Sequence, residues 1–194
     1  MLLAAGEGSR LGQPKALVEL DGQTLAERGA NMLRAGGAAP VLVVTGAAPL
    51  ELPGVQTVHN PQWRTGMGSS LRAALQALRE SDQAAAAVVA LADHPLVGAE
   101  AVARLITAYH GGAGVAVAAY QGKPRNPVLV AREHWPEVIA MATGDQGARA
   151  FLRARPDLVT LVECGDTGSP DDIDTAADLA RIAVRARPPG PRCE

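Results

Sequence analysis

The run over residues 86–92 (AAVVALA) constrains the fold more than any other part of this chain. It is apolar at every position, so a strand made from it buries both faces. Such a strand belongs inside a sheet with helices packed on both sides. The run stops abruptly at Asp93-His94-Pro95. In open α/β sheets, ligands collect just beyond the carboxyl ends of the strands, which makes an aspartate here a candidate for chemistry.

The rest of the chain fits around that strand. Thr24 and Glu27 form a T-x-x-E capping box, opening a helix that carries Leu25, Met32 and Leu33 and stops near Gly36-Gly37. Strands are expected over 40–45 and 55–59. A helix over 69–79 puts Leu71, Leu75 and Leu78 on one face, and another over 98–110 turns Val102, Leu105, Ile106 and Tyr109 inward. Residues 115–120 and 127–130 read as strands. The turn-rich Gln121-Gly122-Lys123-Pro124 between them suits an antiparallel pair. Helices around 133–141 and 147–154, a last strand over 158–163 and a closing helix over 176–183 complete an α/β chain with a mostly parallel sheet.

The 194 residues suit one domain, expected over 1–184, with residues 185–194 (RARPPGPRCE) as a disordered tail. Met1-Leu2-Leu3-Ala4 looks like the end of a strand. Either the first strand is unusually short or the true start lies upstream. A net charge of -2 and 3% aromatics exclude a basic, base-stacking surface for nucleic acid. No apolar run is long enough to span a bilayer, and no signal-peptide pattern opens the chain. Cys164 and Cys193 have neither CxxC spacing nor a histidine pattern, so a reduced, cytoplasmic protein without zinc or disulfides is expected.

The segment Leu3-Ala4-Ala5-Gly6-Glu7-Gly8-Ser9-Arg10-Leu11-Gly12-Gln13-Pro14-Lys15 follows a strand. Gly6 and Gly8 let backbone N–H groups face an anion, and Arg10 and Lys15 add the cations that a triphosphate needs. Leu11 stands where the dinucleotide fingerprint needs glycine, and no GK[ST] follows, so this is neither that fingerprint nor a P-loop. A surface turn with two solvated cations is the competing reading. The combination of three glycines, Pro14 and two cations after a strand favours phosphate binding.

This loop resembles the LAAGxGxRxGxPKAL signature of the NTP-transferase (MobA-like) superfamily, and within it the molybdenum cofactor cytidylyltransferases. The resemblance runs from about Leu2 to Leu179. It is supported by Asn60-Pro61-Gln62-Trp63-Arg64-Thr65-Gly66-Met67-Gly68-Ser69-Ser70-Leu71, Leu91-Ala92-Asp93-His94-Pro95, Gly144-Asp145-Gln146-Gly147-Ala148-Arg149 and Asp172-Ile173-Asp174-Thr175. It implies a Rossmann-like three-layer α/β/α sandwich of the nucleotide-diphospho-sugar transferase kind. The implied reaction moves CMP from CTP to the phosphate of molybdopterin, with release of pyrophosphate. A molybdoenzyme or its chaperone is then the implied partner.

The resemblance also implies roles. Ala4, Ala5, Gly6, Gly8, Ser9, Arg10 and Lys15 bind the nucleotide, those from Gly6 onward at its phosphates, and Gly66, Ser69 and Ser70 lie against base and ribose. Lys15, Arg10 and Asp93 are the catalytic set, and Asp93 and Asp174 hold Mg²⁺, which favours one or two carboxylates plus phosphate oxygens. Competing readings stay open at several positions. Asp93 could be a turn residue or an N-cap, and Asp174 or Thr175 could cap the closing helix, with Asp172 a weaker second ligand. Ser69 or Ser70 could be an N-cap. His94 stands where the family has Gln and is taken as a polar contact at most. Arg125-Asn126 replaces the family's Gly-His near the acceptor, so Arg125 is either an acceptor contact or a solvated cation. Residues 144–147 either line the acceptor pocket or form a turn with Asp145 as N-cap. Alternatives for the whole chain are a guanylyltransferase, transfer to another phosphorylated small molecule, and a non-catalytic nucleotide- or cofactor-binding module. A dinucleotide dehydrogenase ranks behind these.

Overall fold

The computed structural model describes residues 1–80 and 84–186. Its strands are β1 (Leu2–Leu3), β2 (Glu19–Leu20), β3 (Gln23–Thr24), β4 (Leu42–Thr45), β5 (Gln56–His59), β6 (Ala86–Leu91), β7 (Val115–Tyr120), β8 (Lys123–Ala131) and β9 (Val159–Glu163). Its helices are α1 (Leu25–Ala35), α2 (Met67–Arg79), α3 (Ala99–His110), α4 (Trp135–Met141), α5 (Arg149–Ala154) and α6 (Ala176–Ala186). Seven strands form one sheet in the order β5-β4-β1-β6-β8-β7-β9. Only β8 runs against its neighbours, pairing antiparallel with both β6 and β7. The sheet is therefore mostly parallel and flanked by helices, a Rossmann-like arrangement.

The double-sided apolar run lies at the centre of the sheet, as its composition requires. Val88, Ala90 and Ala92 join one core cluster with Ala26, Leu33 and Leu105. Ala87, Val89 and Leu91 join another with Leu71, Leu75 and Trp135 on the opposite face. Alternate residues of one strand thus feed two layers of helices. β1 is short by strand assignment, but its ladder reaches further. Met1 and Leu3 accept from the N–H groups of Ala90 and Ala92, and Ala4 donates to Val44.

The capping box is formed: Thr24 Oγ1 accepts from the Glu27 N–H, and Glu27 Oε2 accepts from the Thr24 N–H. Three features depart from the sequence expectations. A small hairpin, β2–β3, precedes α1. Its turn is Asp21-Gly22, both at positive φ, the usual Asp-Gly signature of a tight hairpin. β8 begins at Lys123, so the turn is confined to Gln121-Gly122 and the second half of the expected connector is strand. α6 continues to Ala186, so Arg185 is helical and pairs with Asp171. The rest of the expected tail, 187–194, lies outside the described residues. Among the described residues, no helix is long and apolar enough to cross a membrane.

Candidate active site

The turn after β6 delivers Asp93 to the carboxyl end of the sheet, next to the loop that follows β1. Lys15 lies in a short 3-10 turn (Lys15–Leu17) entered through Pro14. Its ammonium donates to Asp93 Oδ2 at 2.8 Å and also to Asp174 Oδ1. Asp174 arrives from 159 residues away in sequence. Its approach is fixed by the Ile173 N–H, which donates to the Asp93 carbonyl at 2.9 Å, and by the fully buried Ile173 side chain. The capping question at α6 resolves onto Thr175. Its hydroxyl accepts from the Asp178 N–H while the Asp178 carboxylate accepts from the Thr175 N–H. Asp174 is thereby left to face Lys15. Asp93 is likewise no helix cap, since α3 starts from Gly98.

Burial alone pushes the Lys15 ammonium down, but the charges and hydrogen bonds of Asp93 and Asp174 outweigh it and hold its pKa above the usual lysine value. Lys15 is therefore a permanent cation at neutral pH. Its two acceptor oxygens face a single point, which a divalent cation could share. Among the described residues no group of three or more His, Cys, Asp or Glu could hold a metal. Two carboxylates are nevertheless the donor set expected where phosphate oxygens and water complete a magnesium shell.

A cleft of about 330 Å³ opens beside these groups. Ala4, Ala5, Gly6, Lys15, Gly66, Ser70 and Asp93 all line it. Gly8, Ser9 and Arg10 do not. Gly8 instead turns the loop at φ 62°, where a Cβ would press on the Lys15 backbone nitrogen at 2.9 Å. The turn itself therefore requires this glycine. Arg10 is largely exposed and only loosely paired with Asp174, at 3.8 Å.

Ser69 also departs from its expected place. α2 begins two residues before the expected start, so both serines lie inside its first turn and are buried. Asn60 Nδ2 donates to Ser69 Oγ at 2.8 Å and to Ser70 Oγ at 3.0 Å, and its Oδ1 accepts from the Gln62 N–H. Ser69 in turn donates to backbone carbonyls, so its hydroxyl is fully engaged. Asn60 is thus a buried clamp between the 60–65 segment and α2. Asn60→Ala is expected to cost about 2–3 kcal/mol, because it strands several buried polar atoms. The readout is a thermal melt, with a drop of roughly 5–10 °C expected for a chain of this length.

Glu7, Trp63, Arg64 and Asp145 line the cleft without having been singled out for it. The Arg64 guanidinium lies 4.2 Å from the Trp63 ring centre. Trp63 could have been suspected as a lone aromatic in a Gly-rich segment of a chain with so few. Asp145 was expected on the acceptor side or as an N-cap. It sits in a 3-10 turn (Gly144–Gln146) against Gly66, as the turn reading has it, and lines the first cavity without capping a helix.

Arg125 and Asn126 line a second cavity of about 570 Å³, which His94 also borders. A narrow space of about 30 Å³ shares Leu3, Met67 and Leu91 with the first cavity, and Asn126, Val128 and Arg149 with the second. The two cavities thus adjoin through this passage, with Asp93 lining the first and His94 the second. His94 Nε2 lies 3.7 Å from Asp93 Oδ1, and its Nδ1 is buried with no hydrogen-bond partner among the described residues.

Comparison with known proteins agrees with this geometry. Residues 1–159 match the MobA-like NTP transferase domain. The chain is 36% identical to nicotine blue oxidoreductase of Paenarthrobacter nicotinovorans, over 94% of each protein. It is 34% identical to a probable molybdenum cofactor guanylyltransferase of Opitutus terrae, over 60% of this chain and 57% of that protein. Among solved structures, the homologue of Mycobacterium tuberculosis Rv0371c from Mycobacterium sp. strain JC1 superposes with a TM-score of 0.79. It is 30% identical and covers 95% of this chain and 93% of that one. A strand-end aspartate, a glycine-rich loop with its lysine and the domain match lead to one assignment: the chain is a nucleotidyltransferase belonging to the MobA-like NTP transferase domain family.

Proposed function

We propose that this enzyme transfers CMP from CTP to the phosphate of a molybdopterin-type acceptor and releases pyrophosphate. The observation that carries the reading is the convergence of Lys15, Asp93 and Asp174 at the mouth of a cleft walled by the glycine-rich loop. An acceptor phosphate oxygen attacks the α-phosphorus in line. The new P–O bond forms as the α–β bridging bond breaks, and pyrophosphate leaves with the electron pair. A phosphate nucleophile is already ionised, so positioning and charge neutralisation are what the protein must supply.

Asp93 and Asp174 would hold Mg²⁺, which supplies Lewis-acid neutralisation of phosphate oxygens. Lys15 would exchange its carboxylate partners for the α-phosphate. Arg10, exposed at the rim, would meet the departing pyrophosphate, and the backbone N–H groups of residues 6–9 would face the β- and γ-phosphates. Ser70, whose hydroxyl accepts from Asn60 and donates to no group among the described residues, would contact the nucleoside. Cytidine is the base that the sequence resemblance favours. The buried free thiol of Cys164 suits a reducing, cytoplasmic setting.

The test is pyrophosphate release with Mg²⁺, CTP or GTP, and molybdopterin as acceptor. CTP with acceptor is expected to give pyrophosphate, and CTP alone none. Faster release with GTP would replace the base in this reading, and silence with both nucleotides would sink it. A second reading is favoured by the relative that carries an oxidoreductase name. On that reading the adjoining cavities seat a reduced nicotinamide nucleotide beside a small oxidant, and hydride passes from the first to the second with a proton from solvent. Oxidation of the nicotinamide nucleotide, followed optically in the same preparations, separates the two.

A further inference from the structure

Resting on the nucleotidyl-transfer reading, we infer that the second cavity selects an anionic acceptor whose body is an apolar ring system rather than a sugar or polyol, with Leu161, Arg149 and Arg153 as the selecting residues. The floor of this cavity is a row across the sheet. Val117 pairs with Val128 on β8 and with Leu161 on β9, so the three side chains share one face. Val117 and Val128 are buried, at 1% and 4% exposure, but Leu161, on the edge strand, is 50% exposed. Leu152 and Pro156 continue the apolar lining. Hydroxyl groups laid on such a floor would lose water and find few partners, a penalty that an apolar ring avoids.

The polar groups at this cavity are mostly cations. Arg125, Arg149 and Arg153 border it. Arg125 donates to the Pro124 carbonyl and Arg153 to the Gln146 amide oxygen, while Arg149 has no hydrogen-bond or ion-pair partner among the described residues. None of the three rests on a carboxylate. Elsewhere in the fold Arg104, Arg155 and Arg181 lean on acidic side chains, and Arg28, Arg34 and Arg72 donate to carbonyl oxygens. Nowhere else among the described cavities do three guanidinium groups border one apolar floor. In a chain with a net charge of -2, three uncompensated guanidinium groups around one apolar floor fit an anion carried on a flat body. Guanidinium groups bind phosphate in a fork and stack on ring faces. The narrow passage past Asn126 and Leu91 connects this cavity to the nucleotide cleft, so an acceptor here would border the site of transfer.

The experiment is calorimetric titration of the full chain, without nucleotide, with naphthyl phosphate and with ribose phosphate. Binding of CTP with Mg²⁺ is measured on the same samples as a check of the folded nucleotide cleft. Naphthyl phosphate is expected to bind about tenfold tighter than ribose phosphate, as burial of a ring on an apolar floor implies. Leu161→Asp should erase that preference. The double substitution Arg149→Ala with Arg153→Ala should weaken naphthyl phosphate about tenfold, as expected for lost charge-assisted contacts. Both variants should keep CTP affinity. Equal or tighter binding of ribose phosphate, or a naphthyl preference untouched by both variants, overturns the inference. Absent pyrophosphate release with an intact naphthyl preference would instead count against nucleotidyl transfer alone.

Discussion

Replacing Lys15 with alanine is expected to lower turnover about a hundredfold or more while leaving the chain folded. Lys15 is the cation closest to the strand-end aspartate, and its ammonium already touches both carboxylates proposed to hold the metal. In the transition state, charge builds on the oxygens around the α-phosphorus. A fixed ammonium inside a cleft stabilises that charge without reorganisation. The raised pKa of Lys15 gives the sign of its pH dependence. Its attraction to the two aspartates is fully present below the ordinary lysine pKa and is lost only as pH climbs through the higher folded value. The melting temperature of the free chain should therefore show no Lys15-linked fall between neutral and mildly alkaline pH. The same substitution carries a second expectation. In the native chain a divalent cation has to displace the ammonium from both carboxylates, whereas in Lys15→Ala two bare carboxylates face one another. Mg²⁺ alone should then raise the melting temperature of Lys15→Ala more than that of the native chain. Near-normal pyrophosphate release by a folded Lys15→Ala protein would remove this side chain from the mechanism.

How much of this was legible in the chain depends on how local each signal was. The central position of β6 follows from seven consecutive apolar residues, and the start of α1 from Thr24 and Glu27, both local facts. The hairpin at Asp21-Gly22 was equally local in its turn signature. It was missed because strands of two residues carry no periodicity to count. Asp174 illustrates a different limit. Its sequence neighbourhood fits a helix cap and a ligand equally well, and only the reciprocal Thr175–Asp178 pair shows that the cap is made elsewhere. The glycines show a third. Gly8 was read as making room for an anion, and the loop adds a requirement that sequence does not show, since it folds back on Lys15 and leaves no space for a Cβ. The approach of residues 144–145 to Gly66 joins segments about eighty residues apart, so nothing in either segment announces the other. The turn reading of 144–147 was open to sequence, but the place of Asp145 in the wall of the first cavity was not. The arginines around the second cavity were individually visible. Their lack of carboxylate partners is a property of the folded chain alone.

That long-range approach makes Gly66→Ala a strongly disruptive single-methyl change in the cleft wall. Gly66 adopts φ 106°, where side chains other than hydrogen are strained. An added Cβ would lie 2.5 Å from the Gly144 carbonyl oxygen and 2.7 Å from Asp145 Oδ1. The carbonyl belongs to the backbone of a short 3-10 turn and has no rotamer through which to yield. The strain costs roughly 1–3 kcal/mol, and the overpacking costs a similar amount again. A melting temperature lower by roughly 5–15 °C follows for a chain of this size. Gly112 provides the control. It has φ 99°, but a Cβ there meets nothing within 4 Å, so Gly112→Ala carries the conformational cost without the collision. The difference between the two melts isolates the contact between the start of α2 and the 144–146 turn. Because Gly66 and Asp145 both line the first cavity, Gly66→Ala should also weaken CTP binding, whereas Gly112→Ala should not. Equal melting temperatures for the two variants would mean that the 144–146 turn gives way freely, and the cleft wall would then not be held by the close packing of Gly66.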